Sequence, residues 1–152
     1  MPSLTAASLG CRVIATDLDE LALDLVQAAA EEQEWTVTSS KFDLIADSID
    51  SDALASIHKA MGQRDIDLVI FSDVFENDRV AKGAARVTSY FLEKGSRVWT
   101  FAQSDRAQRD AYVAELKARC PDNDSLAFAD TAYDGNQKLW LCDLDETKVV
   151  YG

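Results

Sequence analysis

The run Arg12-Val13-Ile14-Ala15-Thr16-Asp17-Leu18-Asp19-Glu20 constrains the fold of this chain more than any other stretch. A short apolar, β-branched segment bounded by charge suits a parallel strand covered on both faces, so residues 12–17 are expected to form a buried strand with Asp17 as its last residue. Asp19 is then placed to cap a helix. Along that helix Glu20, Asp24, Gln27, Glu31 and Glu34 recur every three or four residues, which predicts one wet stripe on an otherwise buried helix. A strand that ends in an acid and feeds a helix is a nucleotide-binding arrangement in open α/β sheets. There the carboxylate accepts hydrogen bonds from both ribose hydroxyls, just outside the carboxyl end of the strand. The plain alternative is that Asp17 and Asp19 only shape the turn and cap the helix.

The other segments extend this pattern. Residues 2–9 read as a helix that opens on Pro2 and stops at Gly10. Trp35-Thr36-Val37-Thr38 and Phe42-Asp43-Leu44-Ile45 supply strand-forming residues whose register the sequence leaves open. The acidic, serine-containing run 47–52 suits a cap, after which Leu54, Ile57 and Met61 mark one face of a helix ended by Gly62. His58, the one histidine, sits beside that face and reads as a helix residue, not a ligand or base. Asp67-Leu68-Val69-Ile70-Phe71-Ser72-Asp73 is a further apolar strand ending in a polar pair. After a loop at Val74-Phe75-Glu76-Asn77, a helical stripe runs through Val80, Ala84, Val87 and Phe91 to Lys94-Gly95. Residues 97–102 form the next strand, and Asp105 with Gln108 suggests a capping box opening a helix with Tyr112, Val113, Leu116 and Cys120 inward. Residues 125–132 and 138–144 read as two strands joined directly through Asp134-Gly135-Asn136, hence an antiparallel hairpin. The expected fold is α/β: a three-layer, Rossmann-like, mostly parallel sheet with an antiparallel C-terminal hairpin, all in one domain over residues 1–152.

Charge and cysteine usage exclude some functions. With 27 acids against 15 bases the formal charge is −12, so nucleic acid and anionic membranes are repelled. Cys11, Cys120 and Cys142 are odd in number and irregularly spaced, and with a single histidine they suggest neither a disulfide framework nor a metal site. No secretory pattern opens the chain and no stretch is long enough to span a bilayer, so a cytoplasmic protein is expected.

The order of elements resembles the class I S-adenosylmethionine-dependent methyltransferases, and most of all their protein-lysine and nicotinamide N-methyltransferase-like branch. Three places carry the resemblance: Pro2-Ser3-Leu4-Thr5-Ala6-Ala7 with Gly10, Thr16-Asp17 with its helix, and Leu68-Val69-Ile70-Phe71-Ser72-Asp73-Val74 followed by Phe75-Glu76. It implies that Asp17 takes the ribose hydroxyls, that Leu18 lies against the adenine, and that Asp43, in competition with Asp47, faces the adenine amino group. It sets Ser72 and Asp73 beneath the methionine part and the methyl acceptor, with Phe75 and Glu76 at the mouth. S-adenosylmethionine is the implied cofactor and a protein or small molecule the implied acceptor. No catalytic side chain is assigned, because the sulfonium is already activated and the protein mainly aligns the reacting atoms. In that family a first strand and a glycine-rich loop come before the segment like Pro2-Ser3-Leu4, where this sequence has Met1. The expectation is therefore a chain shortened at its start, with the first strand missing, cofactor binding weakened or lost, and self-association through an unpaired strand edge.

Three other readings compete. A non-catalytic methyltransferase-like binding or scaffold module would keep the shape without the chemistry. A haloacid-dehalogenase-type phosphatase is suggested by Asp17-Leu18-Asp19 and by Asp143-Leu144-Asp145-Glu146-Thr147, but Leu21 replaces the expected threonine or valine in the first, and the second lies almost at the end of the sequence. A nicotinamide dehydrogenase would need the same glycine loop and accounts less well for the final hairpin.

Overall fold

Pro2 and Gly10 punctuate the first helix as the sequence predicts. In the computed structural model, which describes residues 2–45, 54, 55, 57, 59, 65–103, 106–121, 127–133 and 137–143, α1 spans Pro2–Ser8. Gly10 then adopts φ +81°. Its N–H reaches the Ala7 carbonyl at 2.9 Å and the Cys11 N–H reaches Ala6 at 3.1 Å, a Schellman stop that needs the left-handed backbone glycine allows. Strand β1 follows at Val13–Asp17, α2 at Glu20–Glu32, and β2 at Val37–Lys41. β1 and β2 pair in parallel with Val13 opposite Val37 and Asp17 opposite Lys41. Leu23, Val26 and Ala30 of α2 meet Ala7, Ala15 and Val37 in a small core, with Leu4, Val13 and Trp35 packed against it. Leu54 and Ile57 are helical and buried, in keeping with the helix expected there; His58, Met61 and Gly62 lie outside the described residues.

A second compact unit contains residues 65–152 with 45–47, the first containing residues 1–44 and 48–64. In the second, β3 (Leu68–Ser72), β4 (Arg97–Gln103), β5 (Ala127–Tyr133) and β6 (Gln137–Asp143) form a sheet in the order β3-β4-β6-β5. β3 and β4 are parallel, with Leu68 opposite Arg97. β6 runs antiparallel to both β4 and β5, and the turn at Asp134-Gly135-Asn136 lies outside the described residues. Between β3 and β4 runs α3 (Asp78–Glu93), capped by Asn77, whose side-chain oxygen accepts from the N–H groups of Arg79 at 3.0 Å and Val80 at 3.1 Å. α3 ends in a second Schellman stop at Gly95, φ +82°. Helix α4 spans Arg109–Arg119.

The core of this unit is aromatic at its centre. Phe75, Phe91, Tyr112, Leu116 and Val98 are fully buried. The Tyr112 hydroxyl lies 2.9 Å from Thr88 Oγ1 on α3 and 3.2 Å from Thr100 Oγ1 on β4. Three buried hydroxyls thus satisfy one another and tie two helices to the sheet. No helix among the described residues is long and apolar enough to cross a membrane.

Two expectations about the helices need correction. α2 is not mostly buried: beyond its acids, Leu21 and Leu25 are 65% and 62% exposed. The acidic spacing fixed the helical period, but the packed side is only the Leu23, Val26 and Ala30 stripe, because the core it covers is small. The last helix opens without a capping box. Asp105 lies outside the described residues, and Gln108 occupies the cap position with no side-chain bond. The N–H groups of Arg109 and Asp110 bond back to the carbonyls of Arg106 and Ala107 instead.

Candidate functional site

In the first unit the predicted site residues stand where β1 and β2 end. Asp17 closes β1 with its side chain exposed. Its Oδ1 accepts the Asp19 N–H at 3.0 Å, and Asp19 Oδ1 accepts the Leu21 N–H at 2.9 Å. Two successive aspartates thus turn the chain from strand to helix, the first as an Asx turn and the second as the cap. The plain reading of the pair is realised, yet it does not exhaust Asp17. A carboxylate offers about four acceptor sites on its two oxygens, and the turn uses one on Oδ1. The Asp17 carbonyl also accepts the Phe42 N–H at 2.9 Å, which fixes the backbone that carries the carboxylate.

Leu18, between the two aspartates, is 53% exposed, so an apolar side chain is held in the open by a polar turn. Asp43 is half-buried and lies two residues beyond the end of β2; Asp47, its competitor, lies outside the described residues. Lys41 Nζ sits 3.0 Å from Glu20 Oε1 across the same end. Asp17, Leu18 and Asp43 therefore share the carboxyl end of one parallel strand pair, the edge at which open α/β sheets take ligands.

In the second unit, Ser72 and Asp73 stand at the carboxyl end of β3 and both are exposed. Asp73 has φ +53°, a left-handed conformation uncommon outside glycine though better tolerated by Asp than by most residues. Two contacts hold it. Its N–H extends the β3–β4 ladder to the Phe101 carbonyl at 2.8 Å. Its carboxylate is gripped by the Arg106 guanidinium, Nε to Oδ1 at 3.0 Å and Nη2 to Oδ2 at 2.6 Å, the two-pronged geometry that arginine's rigid fork favours.

Arg106 is the residue that sequence reasoning missed. It lies in the turn after β4, 33 positions from its partner, and only the side-by-side ending of β3 and β4 brings the two together. Phe75, set at the mouth by the resemblance, is instead fully buried, edge-on to Tyr112 with ring centroids 5.4 Å apart. The chain turns inward there to start α3, and an aromatic ring is worth more in that core than in water. Glu76 beside it is exposed.

Comparison of the whole chain with solved structures identifies the fold. A TehB-like S-adenosylmethionine-dependent methyltransferase from Corynebacterium glutamicum aligns over 93% of this chain and 72% of its own, with a TM-score of 0.60 and 15% sequence identity. The fold is that of these methyltransferases. TehB from Haemophilus influenzae aligns over 92% of this chain with a TM-score of 0.54 and 17% identity, and this chain spans 51% of its length. No family model and no curated relative matches the sequence. At such identities it is the methyltransferase fold that is shared. In that fold, Asp17, Leu18, Asp43, Ser72 and Asp73 all stand at or just past the carboxyl ends of parallel strands.

Proposed function

We propose that this chain is a methyltransferase-like protein of impaired activity that binds S-adenosylmethionine weakly. The carrying observation is the exposed carboxylate of Asp17, fixed at the carboxyl end of a parallel strand by the turn into α2, with acceptor capacity to spare. In this reading Asp17 accepts from the ribose hydroxyls, Leu18 covers the adenine and Asp43 accepts from its amino group. For the second unit, taken by itself, the resemblance implies Ser72 and Asp73 for the methionine part and the methyl acceptor, and Glu76 for the mouth. The cofactor, when bound, supplies an activated methyl group on a positive sulfur. The protein's own residues bind it, orient it and exclude water. The acceptor is a protein side chain or a small molecule with a free nucleophile, as in the lysine and nicotinamide branch that the sequence resembles.

A second reading, a binding or scaffold module without catalysis, is supported by the engagement of Asp73 with Arg106 and by the burial of Phe75. Both leave fewer free groups at the acceptor end. Titration calorimetry with S-adenosylmethionine and S-adenosylhomocysteine decides whether the cofactor is bound at all. The expected result is weak but saturable binding to both, lost in Asp17→Ala and weakened further in Asp17→Asn. No heat at millimolar ligand would leave the fold without the cofactor. Binding without methyl transfer to any amine or peptide acceptor favours the scaffold.

A further inference from the structure

Helix α2 shows two apolar faces. Leu23, Val26 and Ala30 point into the core. At 3.6 residues per turn the opposite side carries Leu21, Leu25 and Ala28, spaced i, i+4, i+7. The two leucines are 65% and 62% exposed and Ala28 is exposed as well. This is the spacing with which one helix anchors on another. Solvated helix faces ordinarily carry charge there.

Most of the charges lie along one flank of this strip, and the exposed Glu32 ends the strip at the C-terminal turn of the helix. Glu20, Asp24 and Glu31 follow one another on the same side, and all are exposed. Gln27 Nε2 donates to Glu31 Oε1 at 3.1 Å, and Lys41 reaches Glu20. α2 itself contains no Lys or Arg, and across residues 2–45 only Arg12 and Lys41 are basic. An apolar ridge bordered by acids complements an apolar ridge bordered by bases.

We propose that the outward face of α2 is a docking strip for a basic amphipathic helix of a partner protein. Its leucines would pack against Leu21 and Leu25 while its lysines or arginines lie along Asp24 and Glu31. A second copy of this chain fits poorly, because it would set the same acidic flank against itself on a molecule of charge −12. Nucleic acid and anionic membranes meet the same repulsion. The strip is short, so the interaction is a modest one that a matched charge flank speeds and selects.

The test uses the full chain and a designed peptide of about 18 residues, long enough for a stable turn-on-turn contact. Its leucines recur at i, i+3, i+4 and i+7 with lysines alongside, and a control of equal composition scatters the leucines around the helix. The expected result is saturable binding of the patterned peptide that falls as salt is raised. The double variant Leu21→Ser with Leu25→Ser weakens it by at least about tenfold, since two leucines then stay out of the contact. Asp24→Lys with Glu31→Lys weakens it and removes the salt dependence. All four positions are exposed, so circular dichroism and melting temperature of the variants should match the parent. Equal binding of the scattered peptide, or unchanged affinity in the leucine variant, overturns the proposal. So does a dimer in sedimentation equilibrium, or adsorption to phosphatidylcholine vesicles, that the leucine variant abolishes.

Discussion

Glu34 is a non-glycine residue held at φ +58° where α2 stops. Its N–H reaches the Glu31 carbonyl at 3.0 Å, and the Trp35 N–H reaches Ala30 at 2.9 Å. This is the same stop that Gly10 and Gly95 make in α1 and α3, but here with a side chain in the left-handed region. Glu34→Gly should therefore raise stability by about 0.5–1 kcal/mol, the side-chain strain outweighing glycine's extra freedom in the unfolded chain, and urea denaturation checks it. Tyr112→Phe acts in the opposite sense. Removing the shared hydroxyl leaves Thr88 and Thr100 short of a partner in the core, at a cost of about 1–2 kcal/mol by the same measurement. For Cys120, burial and then the nearby Glu93 push the thiol pKa up, while Arg119 opposes them. A raised folded-state value means its stabilising contribution is complete below the unfolded thiol's range and disappears as pH rises through the folded value. The fall in melting temperature across that alkaline window should thus be smaller in Cys120→Ser. Local chemistry made the turn-and-cap role of Asp17 and Asp19 legible in the sequence, since an acid just before a helix bonds nearby N–H groups without any tertiary partner. Arg106 was illegible because its role depends on two strands ending side by side.

Among the elements, helices were the easier to read. Gly10, Asp19 and Gly95 mark ends by backbone chemistry that needs no tertiary partner, and α1, α2 and α3 stop or start beside them. β2 was harder: Val37-Thr38-Ser39-Ser40-Lys41 has a single large apolar residue, and the apolar residues to either side, Trp35 and Phe42, fall outside the strand. Its register comes from pairing with β1, which a local pattern does not encode. α2 shows the same limit in another form, because its apolar residues lie on two faces and periodicity alone does not say which one is packed. A pair of identical substitutions reads that difference. Leu23→Ala, at 7% exposure, should cost about 2–4 kcal/mol. Leu21→Ala should change stability by less than about 0.5 kcal/mol. Thermal or urea unfolding of the two variants side by side is sufficient, and equal losses would mean that Leu21 is also packed.

For the molecule as a whole, the two compact units differ in what fills them. The first packs a two-stranded sheet on a core in which Ala7, Ala15 and Ala30 supply half of the buried residues. The second sets a four-stranded sheet against Phe75, Phe91, Tyr112 and Leu116. Small side chains bury little apolar area, so the amides of β1 and β2 should exchange with solvent deuterium faster than those of β3 and β4, by tenfold or more. The general class of the fold was legible because alternating strands and helices leave few other arrangements. Its division into two units was not, since no run of linker-like residues marks it. The grip of Arg106 on Asp73 bears on how this surface attracts ligands. A carboxylate matched by a guanidinium at 2.6 Å presents a dipole whose field fades within a few ångströms. A cation drawn toward the carboxyl ends of β3 and β4 from afar responds to the molecule's surplus of acids, and Asp73 adds to that pull only at close range.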